Sequence, residues 1–474
     1  MDTYHSLKLL QLELKQEKYS LTSVVKYYLN QIKVQKHLNV FLDVYETEAL
    51  AKAEELQKKL KAGKPLGKLF GLVIGIKDVL VQENYKVRAA SKILEGFESQ
   101  FTGTAVQRLL DEDAIIIGSQ NCDEFAMGSS NENSAFGPTL NAADNSKVAG
   151  GSSGASAVAV QAGLCMASLG TDTGGSVRQP AAFCGVVGLK PTYSRISRYG
   201  LIAFASSFDC IGILSKNIED NALILEVIAG HDEFDSTVSS EKVPAYAENL
   251  QLDKKLKIAF VKETLESEAL QPEIKEATLS KLEWLKSQGH QVEEVTFLYL
   301  DYLLPTYYIL TTAEASSNLS RFDGVRYGYR ASEVQDVESM YKLSRTQGFG
   351  EEVKRRIMLG TFVLSADYFD DYYTKAQKVR RIIRDETSAV FAEYNFIIMP
   401  TTPTTAFSLG TKRDNPAEMY LEDVFTVQAN VVGSPAISIP NGKDKQNLPI
   451  GLQIMADSFK ERELYAFADY LMKS

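Results

Sequence analysis

The pattern of apolar and polar positions along the chain predicts an α/β fold. Short, largely apolar runs are typical of strands buried on both faces of a sheet; they occupy 70–76, 114–118, 166–169, 185–189, 258–261, 396–400, 436–440 and 452–455. A further strand is predicted at the more polar segment 291–295. Amphipathic or alanine-rich segments between them predict helices at 5–16, 20–34, 47–62, 104–111, 155–163, 272–288, 302–318, 351–390 and 461–472. Because strands alternate with helices, we expect a mixed, twisted β-sheet covered by helices on both faces.

The same pattern bears on domain organisation. A chain of 474 residues could hold two or three average domains, but large α/β folds also form a single one. The sequence contains no internal repeat, and a polar, turn-rich stretch at 232–255 precedes a return of the strand and helix alternation. We therefore predict one domain over 1–474, with a helix-rich excursion at about 300–390.

Composition narrows the classes of function. The chain is 45% hydrophobic and 24% charged, as in ordinary soluble proteins, and its net charge of −10 argues against binding a nucleic acid unaided. The N-terminus lacks the apolar core of a signal peptide, and no apolar run reaches membrane-spanning length. The four cysteines form no metal-site spacing. We expect a cytoplasmic protein without a metal or a membrane contact.

Two clusters of glycine and serine mark the candidate chemistry. They are Gly150–Gly154 and Thr173–Ser176, and the segment between them, 155–169, is almost wholly apolar. Flexible linkers would not bracket a buried helix, and a phosphate-binding loop would need a lysine or a third spaced glycine that is missing here. Serine hydroxyls beside runs of backbone N–H groups instead suit a nucleophile with an oxyanion hole.

A serine nucleophile needs a base, and the four histidines lie outside both clusters. Lys77 follows the buried run 70–76, where partial burial would lower its pKa and populate the neutral amine. From the residues alone, a surface lysine at the end of a strand is the favoured interpretation.

Three motifs in order resemble the amidase signature family: IGIKD at 74–78, GGSSGAS at 150–156 and TDTGGSVRQPAAFCGVVGLKPT at 171–192. The resemblance implies that Ser176 is the nucleophile, that Ser152 is a bridging serine at a cis peptide bond, and that Lys77 is the base. It also implies that the polar loop 121–133 lines the pocket, and that backbone N–H groups of the second cluster contact substrate, namely those around Thr173, Gly174 and Gly175. Two positions depart from the family pattern, Val79 and Ala155.

Other segments resemble, within that family, the glutaminase subunits of aspartyl/glutamyl-tRNA(Asn/Gln) amidotransferases; they are 198–222, 314–330, 348–365 and 423–440. This resemblance implies glutamine as substrate, with Arg356 holding its α-carboxylate, Asp423 its α-ammonium and Tyr307 lining the site. An arginine and an aspartate are a chemically sensible pair for a zwitterion. The pattern alone favours a solvated helix charge for Arg356 and a helix cap for Asp423, and the resemblance reverses that preference.

The resemblance also implies partners. A tRNA-binding kinase/transamidase subunit would hold the charged tRNA and use ATP and Mg²⁺, a small third subunit would complete a heterotrimer, and this chain would hold no cofactor itself. The product could be Gln-tRNA(Gln) or also Asn-tRNA(Asn). Two alternatives stay open: a free-standing amidase for small acyl or aryl amides, and a non-catalytic scaffold.

Overall fold

The structure is a computed structural model that describes residues 6–252, 254–411 and 416–474. Eleven strands in the described chain join one sheet in the order β1-β3-β2-β4-β6-β5-β10-β11-β9-β7-β8. They are β1 Phe41–Val44, β2 Val73–Lys77, β3 Ile115–Gln120, β4 Ala167–Asp172, β5 Val187–Lys190, β6 Cys210–Ser215, β7 Lys257–Val261, β8 Gln291–Val295, β9 Phe396–Pro400, β10 Ala436–Lys443 and β11 Pro449–Ala456.

The sheet is mixed, as predicted. Strand β2 pairs in parallel with β3 and β4, and β7 pairs in parallel with β8 and β9, whereas the other pairs are antiparallel. Every residue of β2, β3, β4, β6 and β11 is buried. Because successive side chains of a strand point to opposite faces, both faces of the central sheet are covered. The predicted α/β fold class is confirmed.

Sixteen α-helices are present in the described residues. They are α1 Leu7–Lys15, α2 Leu21–Val34, α3 Glu46–Lys61, α4 Thr104–Asp111, α5 Gly154–Gln161, α6 Arg178–Cys184, α7 Ile218–Ile228, α8 Lys262–Glu266, α9 Pro272–Ser287, α10 Leu300–Asn318, α11 Val337–Gly348, α12 Glu351–Val363, α13 Lys375–Glu393, α14 Pro416–Leu421, α15 Val427–Val432 and α16 Glu461–Met472. Over the same residues, no helix combines the length and apolar character that a membrane crossing requires.

Local signals explain where several elements begin. The side chain of Ser20 accepts the N–H of Ser23, which caps the first turn of α2 as predicted. The ends of α4, α16 and β9 also fall where the pattern predicts them. By contrast, the predicted run 70–76 becomes a strand only from Val73, because residues 67–71 form turns before it.

Other elements differ from the prediction. The predicted helix at 351–390 is interrupted: α12 ends at Val363, a π-helical turn covers Phe369–Thr374, and α13 follows. Eight elements were not predicted, namely strands β1 and β6 and helices α6, α7, α8, α11, α14 and α15. Residues 300–393, all described, contain four α-helices and no strand, so the helix-rich segment is present. The assignment of 1–474 to one domain stays a prediction.

Candidate active site

The topology brings the first cluster, the second cluster and Lys77 to one edge of the sheet. Lys77 is the last residue of β2, and β4, its parallel neighbour, ends at Asp172, directly before the Thr173–Ser176 loop. Since parallel strands end at the same edge, both ends meet there. The Gly150–Ser153 loop enters α5, which packs on β2 and β4.

Lys77 is fully buried and surrounded by hydroxyl groups. Its Nζ lies 2.7 Å from Ser152 Oγ, 2.9 Å from Ser153 Oγ and 2.9 Å from Thr171 Oγ1. Burial lowers the pKa of Lys77 to about 8, although nearby acidic groups oppose that shift. A substantial neutral fraction therefore exists near neutral pH, and the surface-lysine interpretation is wrong.

The hydroxyls around Lys77 have different roles. Ser153 Oγ donates to the carbonyl oxygen of Thr171 at 3.0 Å, so its proton is engaged and it can only accept from Lys77. The hydroxyls of Ser152 and Thr171 are the two left to donate a proton to a neutral Nζ, and Ser152 is the nearer of them. The peptide bond between Gly151 and Ser152 is cis, as the resemblance implied.

Ser176 lies at the far end of the second loop. Its exposed fraction of 9% is the largest among the three predicted catalytic residues, Lys77, Ser152 and Ser176. The backbone N–H of Ser153 donates to the carbonyl oxygen of Ser176 at 3.1 Å, which ties the two loops together. Among the residues that the structure describes, no hydrogen bond joins the side chains of Ser152 and Ser176. The geometry therefore brings Lys77 and Ser152 together and places Ser176 on the adjoining loop.

The Asp172 carboxylate organises the second loop from within. Its Oδ1 accepts the N–H of Gly175 at 2.8 Å, and its Oδ2 accepts the N–H of Val177 at 3.1 Å. The Gly175 amide is thus engaged inside the loop, and its predicted contact with the substrate stays a prediction. The amides still available to an oxyanion are those of Thr173, Gly174 and Ser176.

A buried ion pair anchors this loop to the last third of the chain. Arg178 donates from Nε to Asp172 Oδ2 at 3.0 Å and from Nη2 to Asp172 Oδ1 at 2.9 Å, and both side chains are fully buried. Burial alone would raise the pKa of Asp172, but Arg178 outweighs it and holds that pKa below its usual range. Asn430 of α15 and the Thr426 carbonyl complete the contacts.

Close packing explains the two glycines of this loop. A Cβ on Gly174 would lie 2.5 Å from the hydroxyl of Tyr307, and one on Gly175, where φ is +132°, would overlap Thr426. Tyr307 of α10 is buried at this point. The structure thus places Tyr307 directly against the predicted substrate-binding loop.

Arg356 is buried in an aromatic box, not solvated on its helix. Its exposed fraction is 3%, its Nε donates to Glu352 Oε1 at 2.8 Å, and its guanidinium lies over the rings of Phe204, Tyr308 and Tyr420 at 5.4–5.6 Å. Burial disfavours the charge, but Glu352 and the surrounding tyrosines together outweigh burial and raise the pKa of Arg356. Arg356 is therefore a permanently charged group.

Asp423 is buried nearby and caps no helix with its side chain. Its Oδ2 accepts the hydroxyl of Ser129 at 2.8 Å and that of Tyr308 at 3.3 Å. Helix α15 begins after Thr426 and has no side-chain cap. Burial raises the pKa of Asp423 to about 7. Since Arg356 lies over the ring of Tyr308 while Asp423 accepts from its hydroxyl, the two opposite charges flank one tyrosine.

A cleft of about 390 Å³ opens beside Arg356, and its lining includes neither Asp423 nor Ser176. Arg356 and Tyr420 line one wall, and the predicted loop 121–133 supplies Glu124, Ser130 and Asn133 to another. Over the described chain, no cluster of three or more His, Cys, Asp or Glu side chains is arranged to hold a metal ion. All four cysteines are buried and free.

Five site residues escaped the sequence reasoning: Asp172, Arg178, Ser129, Tyr308 and Glu352. The first two stand within the quoted motif 171–192, where charged residues in a largely apolar stretch could have flagged a buried pair. Glu352 lies four residues before Arg356, a spacing that brings two helical side chains together. Ser129 lies within the loop 121–133 that was predicted to line the pocket, and Tyr308 directly follows the predicted Tyr307, but neither residue was singled out.

Comparisons with known proteins agree with this geometry. The sequence profile of the Amidase family matches residues 23–465. The glutamyl-tRNA(Gln) amidotransferase A subunit of Chlorobium limicola is 52% identical over 452 residues, which cover 95% of each chain.

Two solved structures are similar along nearly the whole chain. The glutamyl-tRNA(Gln) amidotransferase A subunit of Thermotoga maritima is 39% identical, with a TM-score of 0.78, over 94% of this chain and 90% of that one. The peptide amidase of Stenotrophomonas maltophilia is 26% identical, with a TM-score of 0.82, over 98% and 95%. This chain belongs to the amidase family, in the group of the glutamyl-tRNA(Gln) amidotransferase A subunits.

Proposed function

We propose that this chain is the glutaminase of a tRNA-dependent amidotransferase. The observation that carries the proposal is the buried pair Arg356 and Asp423, set on either side of Tyr308 close to the serine-lysine centre. A free amino acid needs one cation for its carboxylate and one anion for its ammonium group, and arginine grips a carboxylate through two parallel hydrogen bonds. A site for a hydrophobic amide has no use for such a pair.

The chemistry uses the three predicted catalytic residues. Neutral Lys77 takes the proton of Ser152, and Ser152 takes that of Ser176, whose Oγ attacks the side-chain amide carbon of glutamine. The amides of Thr173, Gly174 and Ser176 stabilise the resulting oxyanion, at about 3–4 kcal/mol per donor in other acyl-transfer enzymes. The C–N bond breaks, and the leaving nitrogen takes the proton back through the same relay and departs as ammonia.

Water completes the cycle. It attacks the glutamyl ester of Ser176, giving its proton to Lys77 by the same route, and the ester bond breaks to release glutamate and the serine hydroxyl. In this scheme Tyr307, packed against Gly174, fixes the loop that presents the oxyanion donors. The chain itself needs no metal or cofactor for these steps.

The ammonia would serve a partner. We infer that a second subunit, a tRNA-binding kinase/transamidase, holds the charged tRNA in the cytoplasm and activates its glutamate, and possibly aspartate, with ATP and Mg²⁺, and that a small third subunit makes the complex a heterotrimer. The names of the relatives denote one subunit of an amidotransferase. The net charge of −10 fits a chain that leaves tRNA binding to another protein.

The test is ammonia release from glutamine by the purified chain, alone and with partner subunits and charged tRNA. We expect release that partners stimulate and that Ser176→Ala abolishes while the circular dichroism spectrum is unchanged. Aryl amides preferred over glutamine would instead indicate a free-standing amidase. Wild-type turnover by Ser176→Ala would refute the nucleophile.

A further inference from the structure

Glu352 is the immediate counter-ion of Arg356 and contacts it from the same face of α12. Its Oε1 accepts both Arg356 Nε at 2.8 Å and the Tyr420 hydroxyl at 2.9 Å, and its Oε2 pairs with Arg355. Burial works against ionisation of Glu352, but Arg356 outweighs it and keeps its pKa below the usual range. Glu352 is thus a fixed negative charge beside the proposed carboxylate-binding arginine.

The contact with Glu352 determines which nitrogen atoms of Arg356 a substrate carboxylate can pair with. A guanidinium carries five N–H donors in a planar fork. Nε donates to Glu352. The guanidinium lies over the aromatic rings of Phe204, Tyr308 and Tyr420. Among the described residues no other nitrogen of Arg356 is hydrogen-bonded. A substrate carboxylate can therefore pair with the end of the fork that carries Nη1 and Nη2.

The contact between Glu352 and Arg356 also limits the affinity of the site for the substrate α-carboxylate. A carboxylate bound at Nη1 and Nη2 would be repelled by Glu352 on the other side of the guanidinium, because like charges a few ångströms apart repel strongly in a buried site. Glutamine and its product glutamate share their α-carboxylate, so this repulsion weakens the binding of both equally. Uniformly tight binding of that kind would lower KM without raising kcat.

We infer that Glu352 is a positioning residue that aims Arg356 end-on at the substrate α-carboxylate and weakens the grip of Arg356 on it. The inference rests on the proposed glutaminase function and goes beyond it by assigning two opposed effects to one side chain. Glu352→Gln keeps an oxygen that can accept from Arg356 and Tyr420 but removes the charge. Glu352→Ala removes both the charge and the orientation.

The two variants should shift KM in opposite directions. We expect Glu352→Gln to lower the KM for glutamine several-fold, and to lower the inhibition constant of glutamate by a similar factor, with kcat changed less than twofold. We expect Glu352→Ala to raise the KM for glutamine tenfold or more. L-glutamine methyl ester, which lacks the carboxylate charge, should show no gain with Glu352→Gln.

Glu276→Gln is the matched control. It removes the same charge from an exposed position of α9 outside the lining of the cleft and should leave all three constants unchanged. A rise in KM with Glu352→Gln, or an equal gain for the methyl ester, would overturn the inference even where Glu352→Ala fails to fold. If the wild-type complex releases no ammonia from glutamine, the proposed function fails first and the inference falls with it.

Discussion

At the scale of single residues, the ammonium group of Lys77 lies where charge is unfavourable, so reactivity should depend on pH. Burial lowers the pKa of Lys77 to about 8 and raises that of Asp423 to about 7. Catalysis needs neutral Lys77, and ammonium binding needs ionised Asp423, so both active forms are the deprotonated ones. We expect kcat/KM for glutamine to rise with pH and to level off above about 8.

Lys77→Arg keeps a positive charge at this position but removes the group that can act as a base. Arginine keeps hydrogen-bond donors but has no accessible neutral form, so we expect kcat to fall by about 10²–10⁴-fold, the usual contribution of a general base. The pH–rate profile of any residual activity should lose its inflection near 8. A profile and kcat like those of the wild type would show that another group is the base.

The Asp172–Arg178 pair predicts a stability effect. Breaking a fully buried pair leaves an uncompensated charge, so Arg178→Met should lower the free energy of unfolding by about 3–5 kcal/mol in urea titrations. The exposed pair Arg381 and Asp385 supplies the control, since Arg381→Met should cost about 1 kcal/mol or less. Equal losses in the two variants would contradict the anchoring role of Arg178.

At this scale, the sequence named the proposed catalytic residues but not the contacts that hold the surrounding loop and Arg356 in place. The resemblance supplied Lys77, Ser152 and Ser176, because three ordered motifs carry them. It could not show that Gly175 bonds to Asp172, since a backbone N–H direction depends on the folded loop. Burial, which decides between a solvated and a functional Arg356, likewise depends on contacts from α10 and α14.

At the scale of elements, the packing of α10 against α12 holds the proposed glutamine site together. Helix α10 carries Tyr308 and α12 carries Arg356, and Gly360 of α12 sits against the Thr312 carbonyl of α10, where a Cβ would overlap that oxygen. A larger residue would push the two helices apart.

Gly360→Ala should therefore lower stability by about 1–3 kcal/mol, the usual cost of overpacking, and raise the KM for glutamine. Met358→Ala, which changes an exposed side chain of the same helix, is the control and should alter neither quantity. A Gly360→Ala variant with an unchanged KM would show that the α10–α12 distance does not set the position of Arg356.

Sequence patterns predicted many elements because their periodicity is local. Helix α6 was missed because it is only seven residues long and buried on every side, so it shows no alternation of apolar and polar faces. The break between α12 and α13 was missed because residues 364–374 keep the tyrosine-rich, helix-compatible composition of their neighbours.

At the scale of the whole molecule, distant parts of the chain share one sheet. Strand β5, which follows the catalytic loop, pairs with β10, where Lys190 faces Ala436. No local pattern encodes that pairing, so the strand order could not be predicted although the mixed α/β class could. The helix-rich segment is inserted between β8 and β9 of the same sheet.

This shared sheet predicts cooperative unfolding. Differential scanning calorimetry of the isolated chain should show one transition, with equal calorimetric and van't Hoff enthalpies, since β5 of the first half pairs with β10 of the second half within one continuous sheet. Two resolved transitions would instead divide 1–474 into separate domains.

The central claim is that Ser176 forms a covalent ester with the glutamyl group. The most direct measurement is mass spectrometry of the chain, in the preparation that releases ammonia, quenched with acid during steady-state turnover of glutamine and digested with protease. The account predicts a glutamyl adduct on Ser176 that disappears in Ser176→Ala. An adduct on another residue, during normal ammonia release, would contradict it.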